Sequence, residues 1–138
     1  MNGRSVFGVL RGRRRRGQAV IEFALVLPIL LLVLLGITEF GRAFWTLNVL
    51  TQAAREGARL AAVGGNLEAV ETRVEEVLDA SRIEPVEGGI TLDGPDPSDP
   101  DQRVTVSVTS NFNVLSRSIL PITGTIPLTG TAVMRFEG

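Results

Sequence analysis

The chain contains no cysteine, histidine, lysine or tyrosine. The lack of cysteine excludes a disulfide framework and thiolate metal sites. The lack of histidine removes the commonest general base and metal ligand, and the lack of lysine removes the Schiff-base amine. Only Ser, Thr, Asp, Glu and Arg remain as chemically active side chains, a poor palette for an enzyme, so no catalytic residues and no cofactor are expected. All fourteen basic residues are arginine. With 138 residues there is room for one small domain and one membrane segment.

Charge is unevenly spread. Six arginines (Arg4, Arg11, Arg13, Arg14, Arg15, Arg16) precede Gly17 with no acid among them, while the remaining eight face all fifteen Asp and Glu. A basic arm that served nucleic acid would need a recognition module behind it, and the sequence shows none. No nucleic-acid partner is therefore expected. Arginines beside an apolar run set membrane orientation instead.

Phe23 to Thr38 is sixteen residues without a charge, FALVLPILLLVLLGIT. Extension to Trp45 admits only Glu39 and Arg42, which lie three apart and can pair on a helix. As a helix, the stretch from Phe23 to Trp45 is about 34 Å long, enough to cross a hydrocarbon core of about 30 Å. Phe40, Phe44 and Trp45 suit the far interface. The arginine cluster predicts a cytoplasmic N-terminus and an extracytoplasmic domain beyond Trp45. A buried soluble helix does not fit, because LPILLLVLLG is apolar on every side. A cleaved secretory signal wants a small-x-small site, and Leu35-Gly36-Ile37-Thr38 is a poor one. A twin-arginine signal has the arginines, but Glu22 interrupts the approach to its apolar region.

A plain anchor accounts for the apolar run but not for Gly17 standing five residues before Glu22. Basic leader, Gly17, four residues, Glu22, Phe23 and a long apolar helix together resemble the type IV pilin-like class. That resemblance implies cleavage by a prepilin peptidase between Gly17 and Gln18. Glu22 would become the fifth mature residue, able to meet a free α-amino group. More narrowly, RRGQAVIEFALVLPILLLVLLGITEFGRAF, TQAAREGARLAAV and the closing TAVMRFEG resemble the TadE-like family, small pilin-like proteins of tight-adherence (Flp) pilus assembly. The related TadG-like proteins share the helix but are usually far longer, so length favours the short type. The implied role is that of a minor pilin or pseudopilin, with Gly17, Gln18, Glu22 and Phe23 as the processing site. The implied partners are prepilin peptidase, other pilin-like subunits, the pilus assembly machinery and cytoplasmic membrane lipid. An uncleaved single-pass anchor presenting a binding domain is the alternative, and a secreted enzyme a more distant one.

The N-terminal helix, residues 18–63 after a leader of 1–17, is predicted to run on to Val63, with its transmembrane part at about 23–45. Ala53, Gly57 and Ala61 recur every four residues beside a second row of Ala54 and Ala58. Such small-residue rows let another backbone approach, either the chain's own sheet or a partner helix. Gly64-Gly65 stops the helix. Asn66 caps a second helix over about 67–82, with Leu67, Val70, Val74, Val77 and Leu78 on its apolar stripe. Ile90-Leu92 reads as a short strand. Asp93 to Asp101 reads as an acidic, proline-rich, solvated loop. Its four aspartates could in principle hold Ca²⁺, but the spacing lacks EF-hand order, so no metal site is expected. Arg103 to Phe112 alternates, with Val104, Val106 and Val108 on one face and Thr105, Ser107 and Thr109 on the other. Ile126, Leu128, Ala132, Met134 and Phe136 share a face of a further strand. The expected fold is α+β: a long helix reaching into a small domain, residues 64–138, with a second helix and a small antiparallel sheet. The sheet should lie against both helices.

Overall fold

A computed structural model describes residues 10–95, 101–114 and 125–137, with side chains from Gly17 onward. The chain divides into two compact units, Met1–Thr38 and Glu39–Gly138. Helix α1 spans Leu10–Ala62 and helix α2 Leu67–Ala80. Strands β1 (Pro85–Asp93), β2 (Arg103–Asn113) and β3 (Thr125–Arg135) form one antiparallel sheet in the order β1-β2-β3. The fold is thus α+β, as the residue pattern predicts. The link at 115–124 and the middle of the acidic loop, 96–100, lie outside the described residues.

In the first unit α1 stands alone. Its side chains from Gln18 to Leu34 are all exposed, so among the described residues nothing covers the apolar run. Pro28 lies inside this helix. It has no N–H to give to the Ala24 carbonyl four residues back, a defect that membrane helices tolerate when neighbours supply a donor.

In the second unit α1 changes character. Thr46, Val49, Leu50, Ala53, Ala54, Gly57, Ala58, Ala61 and Ala62 are buried, an i, i+3, i+4 stripe that gives one helix face to the core. Both small-residue rows are occupied by the chain's own sheet and second helix. A Cβ added at Gly57 would stand 2.9 Å from Val74 Cγ2, 3.1 Å from Val70 Cγ1 and 3.3 Å from Val106 Cγ1. Glycine there lets α1, α2 and β2 meet at one point. Val104, Val106 and Val108 complete the core from the central strand, all 1% exposed or less.

The helix ends are built by local chemistry. Gly64, at φ +90°, takes the left-handed position after α1. Its N–H donates to the Ala61 carbonyl at 3.0 Å, and the Gly65 N–H to Leu60 at 3.0 Å, the paired bonds of a Schellman stop. Asn66 Oδ1 then accepts from the Ala69 N–H at 3.0 Å, capping α2. The end of α2 repeats the pattern: Arg82 N–H to Asp79 at 3.0 Å and Ile83 N–H to Leu78 at 3.1 Å. Here, however, the left-handed residue is Arg82, at φ +56°. This stop ends α2 at Ala80, slightly before the predicted limit.

Three expectations need correction. The first strand is not confined to 90–92: it begins at Pro85, which pairs with Ser110, and bulges before Ile90. The Ser110 hydroxyl donates to the Glu84 carbonyl at 2.6 Å and pins this start. Leu67, placed on the core stripe, is 44% exposed because it occupies the first turn, beyond the edge of the sheet's cover. Ile126 is 52% exposed although it pairs with Phe112 of β2, which is buried: it lies at the start of β3, outside the core cluster. The remaining alternation of β2 and β3 follows the prediction. On the outer face, Ser107 and Thr131 lie 3.2 Å apart and Thr109 and Thr129 2.9 Å apart, oxygen to oxygen, a ladder of hydroxyl pairs.

Gly130 is the tightest point between sheet and helix. A Cβ there would overlap the backbone of Leu50 and Thr51 and come within 2.8 Å of Leu50 Cβ. Backbone cannot yield as a side-chain tip can. Gly130→Ala should therefore destabilise the folded unit by about 1–3 kcal/mol, whereas Val133→Ala on the exposed face should change it by less than about 0.5 kcal/mol. Denaturant unfolding of the full chain in detergent, followed by circular dichroism, compares the two.

Candidate processing and assembly segment

Gly17 lies within α1, and a Cβ added to it meets nothing within 4 Å. Glycine inside a helix costs roughly 0.5–1 kcal/mol relative to alanine. Packing among the described residues gives no return for that cost. Gln18 follows, and its Nε2 donates to Glu22 Oε1 at 3.2 Å, one helical turn on. Both side chains are exposed, as is Phe23. Three of the four residues expected to form the processing site thus share one short stretch of helix, with a carboxylate held by a neutral amide. Among the described residues no other group is bonded to Glu22.

The far end of the apolar run carries the expected pair. Arg42 Nη1 donates to Glu39 Oε2 at 2.9 Å. The Arg42 guanidinium also lies over the Phe112 ring, 5.2 Å from its centre, a cation–π contact that ties α1 to the end of β2. Phe40, Phe44 and Trp45 remain exposed beside it.

A second charged group lies between the helices. Glu56 on α1 accepts from Arg73 on α2 at 3.4 Å and stands 3.5 Å from Arg59, while Arg73 also donates to Glu76 at 2.9 Å. Bonding to Glu76 first, and then to Glu56, raises the Arg73 guanidinium above its ordinary value. Its folded-state pKa is raised, so the contribution is fully present below the ordinary arginine range and is lost only above it. This network therefore does not respond to pH in the physiological range. Exposed pairs of this kind add little to stability; their geometry marks the seam where α2 lies against α1.

Ala53, Gly57 and Ala61 are brought together, but inward. Sequence reasoning identified their spacing and left two occupants open; the structure fills the rows from within. It missed Gly130, the Arg42–Phe112 contact and the Glu56–Arg73 bridge. Only the i, i+3 halves of the charge network, Glu56–Arg59 and Arg73–Glu76, had a signal in the spacing. Among the described residues no cluster of acidic side chains is arranged to hold a metal.

Compared with known proteins, the chain matches the family model described as TadE-like protein over residues 17–59, less than half its length. No curated protein and no solved structure matches it. The matched stretch begins at Gly17 and takes in the whole apolar run and most of the buried stripe of α1. It is the same family that the residues resemble. It overlaps a helix long and apolar enough to cross a membrane, Gly17–Ala62.

The stretch of that helix from Phe23 to Thr38 is apolar on all sides, so one charge in the middle of that stretch has no polar face to turn to. Leu31→Arg should cost about 2.5–3.5 kcal/mol of insertion free energy and release a large part of the chain from membranes. Resistance to alkaline carbonate extraction, compared with a Leu31→Ala control, reads the change.

Proposed function

We propose that this chain is a bitopic, pilin-like structural subunit of a tight-adherence pilus assembly system, acting as a minor pilin or pseudopilin. The observation that carries the reading is the family match that starts at Gly17 and runs through the apolar helix. Gly17 is compatible with it: among the described residues nothing packs against that position, as at Gly36 and Gly41. The basic leader stays in the cytoplasm, α1 spans the cytoplasmic membrane, and the unit of α2 and the sheet stands outside.

In this reading a prepilin peptidase hydrolyses the Gly17–Gln18 amide. The leader leaves with a carboxylate on Gly17, and Gln18 keeps a free α-amino group. Glu22 then has a cation with which to pair, its own or a neighbouring subunit's. An ammonium and a carboxylate neutralise each other and avoid two separate buried charges. The role of the chain is structural; the chemistry belongs to the peptidase. Other pilin-like subunits are the partners of the exposed apolar helix.

Intact mass of the membrane-purified protein tests the central step. Loss of residues 1–17 is expected in cells with an active pilus system; a retained leader supports the uncleaved anchor instead. Gly17→Leu should abolish the mass loss, because a branched side chain no longer fits a subsite built for glycine. An unchanged mass loss in that variant would refute the proposed cut. Glu22→Ala should leave membrane insertion intact and strongly reduce incorporation into assemblies, read by crosslinking to other pilin-like subunits. Normal incorporation would count against the pairing.

A further inference from the structure

The folded unit has a cavity of about 560 Å³ whose lining includes Arg42, Trp45, Arg82, Glu84 and Phe112. Neither the processing segment nor the helix-packing rows involve it. Its position in the chain is specific. Glu39 directly follows the uncharged run, and Trp45 is six residues on, about 9 Å along a helix. A headgroup layer is roughly 5–8 Å thick on each side of the hydrocarbon. Phe40, Phe44 and Trp45 are exposed at this level, where aromatic rings favour the interface.

Arg82 is the more informative cation. It occupies the left-handed position that ends α2, the position that Gly64 takes at the end of α1. The same motif therefore occurs twice, once with the residue the backbone prefers and once with an arginine that the backbone disfavours. Its guanidinium has no hydrogen-bond or ion-pair partner among the described residues. Arg42 is held differently, over Phe112 and against Glu39, which fixes its plane while leaving further N–H donors on the fork. Glu84 also borders the cavity and opposes any anion that enters.

We propose that this cavity binds the phosphate of a membrane phospholipid headgroup, with Arg82 and Arg42 donating to its oxygens and Trp45 lying beside the polar headgroup. The inference rests on α1 being a membrane anchor. Guanidinium forks match phosphate geometry, and the neighbouring aromatics match the boundary between headgroup and chain. The headgroup would fix the height and rotation of the folded unit on the bilayer surface before assembly.

Trp45 is the sole tryptophan and thus a native reporter. The full chain in maltoside micelles is titrated with dihexanoylphosphatidylglycerol, with dihexanoylglycerol, which lacks the phosphate, as comparator. The expected result is a saturable change in Trp45 emission with the phospholipid alone. Arg82→Gln should weaken it about three- to tenfold, and Glu84→Gln should tighten it about two- to fivefold, the range of one partly exposed charge contact. Arg82→Gly should lose binding to the same extent while its unfolding temperature does not fall, which separates the headgroup contact from folding. An equal response to dihexanoylglycerol, or unaltered binding in Arg82→Gln, overturns the proposal. Alkaline extraction distinguishes the two readings. A chain released from membranes overturns the anchor and the lipid site together. A chain retained without a phosphate-dependent response overturns the site alone.

Discussion

The folded unit depends on close approach of a helix to a sheet, and that approach is set by missing side-chain volume. Ala53, Ala54, Gly57, Ala58 and Ala61 present methyl groups or less along the buried face of α1. Valines from β2 and α2 fill the space this leaves, with Val70, Val74 and Val106 converging on Gly57. Gly130 performs the reciprocal service on β3, against Leu50. A three-stranded sheet has too little surface to be stable by itself. Here its inner face is covered by α2 and the outer part of α1, so Glu39–Ala62 is part of the domain and not merely a tether to it.

The same helix therefore serves two environments with two sequence patterns. Up to Leu34 every side chain of the apolar run is exposed, and none of the described residues covers it. From Thr46 onward the burial follows the 3.6-residue period. A helix that is hydrophobic all round needs an apolar surrounding, and one with a stripe needs a single packed face. Lipid or other helices can satisfy the first; the chain's own sheet satisfies the second. The transition lies between Glu39 and Trp45, where charged and aromatic residues alternate.

Much of this was legible because it is local. The Gly64-Gly65 stop, the Asn66 cap and the valine alternation of β2 each depend on neighbours within a few residues. The early start of β1 was not legible: the strand is held there by the bond from Ser110 to Glu84, 26 residues apart in the chain. The Glu56–Arg73 bridge and the Gly130 contact join residues far apart in sequence, and composition carries no trace of them. Arg82 was hidden for another reason. A Schellman stop is read from glycine, and an arginine in that place looks like an ordinary surface charge. In the candidate site the residue types were legible as a pattern, since Gly17, Gln18, Glu22 and Phe23 lie on consecutive turns. What no single sequence reveals is that none of the described residues packs against Gly17.

The Gln18–Glu22 bond shows why the position of the proposed cut matters physically. In the described helix, which begins at Leu10, Glu22 lies more than two turns from the start, too far for the helix dipole to act strongly on it. Its bonded partner, the Gln18 amide, can donate but cannot neutralise. A cut after Gly17 changes both conditions at once. It creates a helix N-terminus at Gln18, with N–H groups no longer bonded to preceding carbonyls and a favourable dipole near Glu22. It also places an ammonium about 6 Å along the axis from the carboxylate. A cut several residues earlier would leave the amine remote and the dipole weak. A cut several residues later would remove Gln18 or the carboxylate itself. The one-turn spacing is thus the range over which a newly made terminus can compensate a charge at the head of an apolar helix.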